Sequence, residues 1–135
     1  MFLRFLAIAT LKWFTLHFLS ALLIVFVLPA SWQGFELSIP VWILSFAVAF
    51  GFAEWAFKLK IPDKKTISYF LIIWIIASFT LQILQAQFIM GSALYAINSI
   101  DMYVQYLLEI AAILLAARAT TIRKFHSVMS EGMED

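Results

Sequence analysis

Asp101, Gln105 and Glu109 stand four residues apart, so on an α-helix they share one stripe. Glu109 falls near the middle of an apolar run, 102–117, where an ionised carboxylate costs ~2.5 kcal/mol or more and must face protein or water. The stripe continues as Ala112 and Ala116, giving a polar outer half and a small-residue inner half. Two chemistries fit. In one, the stripe lines a polar crevice open to the outside, with Glu109 at its floor as a proton or cation site. In the other, a protonated Glu109 is hydrogen-bonded to a neighbouring helix or packed against a partner subunit.

Ser78, Gln82 and Gln85 recur at i, i+4 and i+7 and so share a face of a second run. Gln87 falls near the outer boundary, and Gln82 and Gln85 are expected at depths between Glu109 and Asp101. A network joining Gln82 and Gln85 to Gln105 and Glu109 is the expectation, and plain interhelical hydrogen bonding worth about 0.6 to 2 kcal/mol is the simpler account of it. Glu54 has Lys58 at i+4, the favourable order for a helical ion pair. His17 reads as lying at a depth similar to Glu54, which makes the two an inner-side pair. Ser45, Ala49 and Ala53 form a small-residue seam that lets another backbone approach closely.

Other chemistries lack their residues. The chain has no Cys, so thiol nucleophiles, thiolate metal sites and disulfides drop out. The second histidine, His126, lies in the polar C-terminal stretch, which leaves no pair of buried axial ligands for a haem. Neither a Gly-rich phosphate loop nor a metal-spacing cluster nor a nucleic-acid module occurs, and no nucleophile–base pair is spaced for catalysis. The expectation is a protein that is not an enzyme, with no cofactor, no metal and no nucleic-acid partner.

The elements that must position these residues are four apolar runs at about 13–28, 41–57, 67–88 and 102–117, each close to the ~20 residues a helix needs to cross ~30 Å of hydrocarbon. The 135-residue chain is 64% hydrophobic and 13% charged, about half the charge of a soluble domain. Arg4 and Lys12 precede the first run, Lys58, Lys60, Lys64 and Lys65 fill the second link, and Arg118, Arg123 and Lys124 follow the fourth. The other two links carry Glu36 and Asp101 but no Lys or Arg. The positive-inside rule then places both termini in the cytoplasm.

The predicted fold is all-α: a polytopic integral membrane protein, four transmembrane helices in an antiparallel bundle over residues 1–125, with 126–135 as a short frayed tail. The short second link implies that helices two and three are antiparallel neighbours. Pro40 is expected in the first turn of helix two. The apolar stretch 13–28 is at or beyond the upper length for the apolar core of a signal peptide, so it reads as a retained helix. Residues 2–11 form either an interfacial lead-in or an early start of helix one, with Arg4 and Lys12 snorkelling to the surface.

Arg4-Phe5 before helix one and Trp55-Ala56-Phe57-Lys58 at the exit of helix two resemble the pattern of the GtrA-like family of small four-helix membrane proteins. That resemblance implies flipping or presentation of polyprenyl-phosphate-linked sugars, and a cytoplasmic basic cluster facing phosphate. The sequence departs from the family at Phe52-Ala53-Glu54, where an Asn followed by basic residues is usual, and at Ala117-Arg118-Ala119-Thr120, which lacks the Trp and Phe. Small multidrug-type transporters share the size, but their key carboxylate lies in the first helix and their charge bias is weak.

Two functions from different classes remain. The first is a small transporter or flippase acting on a lipid-linked or small polar substrate, with Glu109, Gln105, Asp101, Gln82 and Gln85 along the path and Lys58, Lys60, Lys64 and Lys65 facing lipid headgroups. The second is a non-catalytic accessory subunit of a larger membrane complex, docking through the polar stripe and the small-residue seams. Four helices enclose only a narrow interior, so a homo-oligomer or a larger membrane-protein partner is expected. The expected location is a cell membrane, the inner membrane of a bacterium.

Overall fold

A computed structural model describes residues 1–59 and 61–134. Its elements are α1 (Phe2–Leu22), which runs on as a single π-turn (Leu23–Val27), α2 (Phe35–Phe57), α3 (Lys64–Ile89), the one-turn α4 (Leu94–Ile97) and α5 (Ile100–Glu134). No strand occurs among the described residues. Among the described residues four segments, Phe2–Val27, Phe35–Phe57, Lys64–Ile89 and Ile100–Met133, are long and apolar enough to cross a membrane. The outward faces are greasy: Phe14, Phe18, Ile43, Ile76, Leu107 and Leu115 are all exposed, as suits side chains meeting acyl tails.

Local chemistry sets the ends. Leu28 is extended (φ −80°, ψ 143°) because the following Pro29 disfavours the helical region for it. Asp63 caps α3, its Oδ1 accepting from Thr66 N at 2.7 Å, and Pro62 stands just outside that cap. After α3, Gly91 takes φ 82°, a region that favours glycine. Gln87 closes this turn by accepting from Ala93 N through Oε1 at 3.1 Å. Ser99 Oγ accepts from Met102 N at 3.3 Å and so caps the start of α5.

The helices are longer than their apolar runs. α1 begins at Phe2, which selects the early start over the interfacial lead-in. α2 begins at Phe35, so Pro40 sits inside the helix and leaves the Glu36 carbonyl without its usual donor. α5 continues to Glu134, and the segment read as a frayed tail is helical. Each extension adds residues of moderate helix propensity to a helix already nucleated by its apolar body.

α2 packs most extensively on α5 and also on α1, while α3 packs on α1 and more lightly on α5. The expected neighbours α2 and α3 therefore stand diagonally. The link 58–63 reaches roughly 20 Å when extended, enough to cross the bundle. Contacts fix two same-direction pairs. Phe5 meets Phe70 at 4.8 Å between ring centroids and Lys12 meets Ser78, so α1 runs with α3. Ser45 meets Glu109 and Glu54 meets Arg123, so α2 runs with α5.

The α2–α5 contact is close because its seam is small. Ser45, Ala49 and Ala53 from one helix and Ala112 and Ala116 from the other are all fully buried. Bulk is supplied on the opposite side, where Phe5, Phe57, Phe70 and Trp74 pack edge to face around Phe70.

Candidate functional site

The buried faces of the four long helices converge on one carboxylate. On α1, the buried positions Phe5, Ile8, Ala9, Lys12 and Leu16 recur at helical spacing, and Lys12 is carried inward with the rest. On α3 the buried stripe Phe70, Trp74 and Ser78 recurs every four residues. The seam of α2 ends in Ser45, and α5 supplies Gln105 and Glu109.

Glu109 is 0% exposed. Its Oε2 accepts from Lys12 Nζ at 2.7 Å and from Trp74 Nε1 at 2.6 Å. Its Oε1 accepts from Ser45 Oγ at 2.9 Å and from Gln105 Nε2 at 3.1 Å. Lys12, also 0% exposed, donates a further hydrogen bond to Ser78 Oγ at 2.9 Å and lies 4.6 Å from the centre of the Trp74 ring, within cation–π range. The desolvation of each ion, several kcal/mol in a protein interior, is offset by the opposite charge and by dipoles aimed at it.

Lys12 is the functional residue that sequence reasoning missed. The expectation that it snorkels to the cytoplasmic surface is overturned: with α1 starting at Phe2, position 12 is more than two turns inside the helix and faces the bundle. No sequence signal marked it, because α1 is apolar on every face and the buried spacing Phe5–Ala9–Lys12–Leu16 emerges only on packing. Ser45 and Ser78 also gain roles, since the seam and the α3 face each end in a hydroxyl bound to the charge pair.

The predicted stripe separates by depth. Asp101 is exposed, Gln105 is half-buried and Glu109 is sealed, so no crevice opens onto Glu109 from the outside. The network predicted from Gln82 and Gln85 does not form. Trp74 and Lys12 already occupy Oε2, Gln82 Oε1 accepts from Trp13 Nε1 at 3.4 Å, and Gln85 Oε1 is buried without a hydrogen-bond partner among the described residues. Tyr106 Oη is in the same position.

The inner-side pair of His17 and Glu54 is also corrected. His17 lies about 8 Å beyond Lys12 along α1, toward the end that holds Gln82, where its Nδ1 is 2.8 Å from Trp13 O and its ring lies 3.9 Å from the Trp13 ring. Glu54 lies toward the opposite end, where it pairs with Arg123 in place of Lys58. There Arg4 Nη2 donates to Trp55 O at 3.1 Å and Lys124 Nζ to Phe57 O at 3.2 Å, two cations on the last carbonyls of α2, where the helix dipole favours them.

Of the basic residues assigned to headgroups, Lys58, Lys64 and Lys65 are exposed, and Lys60 lies outside the described residues. No group of three or more His, Asp or Glu side chains is arranged to hold a metal among the described residues. Comparison with protein-family models, with curated proteins and with solved structures finds no match to this chain.

Proposed function

We propose that the protein is a small multi-pass membrane transporter or flippase-like protein, in which Lys12 and Glu109 form the latch between the first and last spans. The observation that carries this reading is the sealed charge pair itself. A buried ion pair is seldom better for stability than apolar residues of the same volume, and ionisable groups inside membrane spans are kept for moving protons, ions or substrates. Loss of charge on either member, by proton transfer or by competition from a charged substrate group, would release α1 from α5.

A polar approach supports it. His17, Gln82, Gln85, Gln105 and Tyr106 lie on the side of the pair toward Asp101, and Gln85 Oε1 and Tyr106 Oη have hydrogen-bonding capacity to spare. In this reading the spans thread an inner membrane with successive spans alternating in direction and both termini cytoplasmic, and the thin interior calls for a homo-oligomer. A lipid-linked substrate agrees with the GtrA-like resemblance. The test is the purified chain in liposomes, with fluorescent phosphatidylglycerol followed by dithionite quenching and proton entry followed by an internal pH dye. Faster movement of either than in protein-free liposomes, abolished by Glu109→Gln, is expected. Rates equal to protein-free liposomes in both assays would reject transport.

One observation favours the accessory-subunit reading. α5 has 35 residues, about 52 Å at 1.5 Å per residue, well beyond the ~30 Å of hydrocarbon. Its projecting turns carry Ile122, Phe125, Met129 and Met133, all exposed and spaced by three and four residues, an apolar stripe suited to a partner helix. Of the docking surfaces first assigned to this reading, the small-residue seam and Glu109 are consumed inside the bundle, and Asp101 alone of the polar stripe stays exposed. Purification in mild detergent separates the two readings: a larger protein that co-purifies and is lost on Phe125→Glu supports the subunit.

A further inference from the structure

We infer that the basic end of the α2–α5 contact holds a phosphate-bearing anionic lipid, with its headgroup in a cleft and an acyl chain in the groove that leads from it. The cleft, of about 420 Å³, is lined by Gly51, Glu54, Trp55, Lys58, Thr120, Arg123 and Lys124. Glu54 pairs with Arg123, so three cations face one carboxylate and the cleft carries excess positive charge. Arg123 and Lys124 are engaged by Glu54 and by the Phe57 carbonyl, which leaves the exposed Lys58 ammonium to meet phosphate oxygens, and Thr120 brings a hydroxyl.

An apolar groove of about 290 Å³ adjoins this cleft and shares Gly51 and Trp55 with it, continuing past Phe52 to Val48 and Ala47. From Lys58 at the helix end to Ala47 is roughly 16 Å along α2, about half the thickness of the hydrocarbon. The two compartments therefore match one leaflet's worth of an amphiphile, charge at the helix end and chain beside the span. A free phosphate would fill the cleft alone and leave the groove unused. Gly51 joins them, and a Cβ there would meet nothing within 4 Å, so the space belongs to the groove and not to protein packing.

This site rests on the membrane embedding and is independent of transport through the Lys12–Glu109 pair. The experiment is native mass spectrometry of the full chain in detergent, titrated with palmitoyl-oleoyl phosphatidylglycerol, with phosphatidylcholine of the same chains, and with glycerol 3-phosphate. The expected result is retention of phosphatidylglycerol in preference to the other two. Lys58→Gln should weaken retention about fivefold, the scale of one basic residue at an anionic lipid surface. Gly51→Leu, with its helical circular dichroism intact, should weaken it about threefold by taking the space, and so the van der Waals contacts, of part of the acyl chain. Equal retention of phosphatidylcholine, full competition by glycerol 3-phosphate at equal concentration, or wild-type retention by Gly51→Leu would each overturn the proposal. Binding is read here without a transport step, so a protein that moves nothing in liposomes can still pass this test.

Discussion

Lys12 Nζ and Glu109 Oε2 meet at 2.7 Å although they lie at opposite ends of the sequence, and every other donor to the pair's carboxylate comes from a residue that is itself buried or half-buried. The pair thus sits where α1, α2, α3 and α5 are all within one side chain's reach. Its energetics should be those of a unit.

Removing one partner leaves an uncompensated charge. Lys12→Met or Glu109→Leu alone should destabilise by about 3 to 5 kcal/mol, whereas the double variant should lose distinctly less than the sum. Unfolding in mixed detergent micelles, followed by circular dichroism, measures all three. Strict additivity would show that the two residues do not act on each other.

The indole donor can be removed with little change of shape. Trp74→Phe keeps an aromatic ring beside Phe70 but deprives Oε2 of one hydrogen bond to a charged group, for a loss of about 1.5 to 3 kcal/mol including some lost packing. Ser45→Ala and Ser78→Ala each remove a hydrogen bond to a charged group and should cost about 1.5 to 3 kcal/mol. If Ser78→Ala proves as stable as the wild type while Ser45→Ala does not, Lys12 takes its second acceptor elsewhere.

The α2–α5 seam tolerates no added bulk. Ala112→Leu should cost about 1 to 3 kcal/mol by overpacking against Ala49 and Ser45, and Ala111→Leu, one position round the helix and exposed, should stay within about 0.5 kcal/mol of wild type. Thermal melts of the two in the same detergent give the comparison. Similar melting temperatures would mean that the two helices are not packed on this face.

Threading is open to direct labelling because the chain has no Cys. The proposed threading, with both termini cytoplasmic, requires that Ser92→Cys between α3 and α4 react with an impermeant maleimide on intact cells, and that Lys64→Cys at the start of α3 react only after permeabilisation. The reverse pattern would invert the bundle and place the basic cleft in the other leaflet.

Much of the scaffold was legible along the chain. Apolar runs of near membrane-spanning length, interrupted at Pro29, Pro62 and Gly91, mark the four long helices because each breaker denies the backbone a helical hydrogen bond or supplies a positive φ. The true ends were less legible. Phe2–Leu11 and the residues after Lys124 are compatible with helix but need neither breaker nor apolar period to be so, and only continuation from a formed helix decides them.

Glu109 could be singled out from sequence because one carboxylate amid hydrocarbon has nowhere cheap to go. Its partner could not. In a membrane the surroundings of a helix are as apolar as its interior contacts, so hydrophobic periodicity does not say which face of α1 turns inward, and a lysine twelve residues into an apolar segment reads equally as an anchor reaching for water. The direction of Lys12, the substitution of Arg123 for Lys58 as the partner of Glu54, and the diagonal placing of α2 and α3 all depend on how four helices rotate about their axes as they pack. The sequence determined that greasy helices carry a stranded acid. Tertiary packing alone decided that the acid meets a lysine from the far end of the chain, because that meeting is set by side-chain geometry between helices and not by any property of one helix alone.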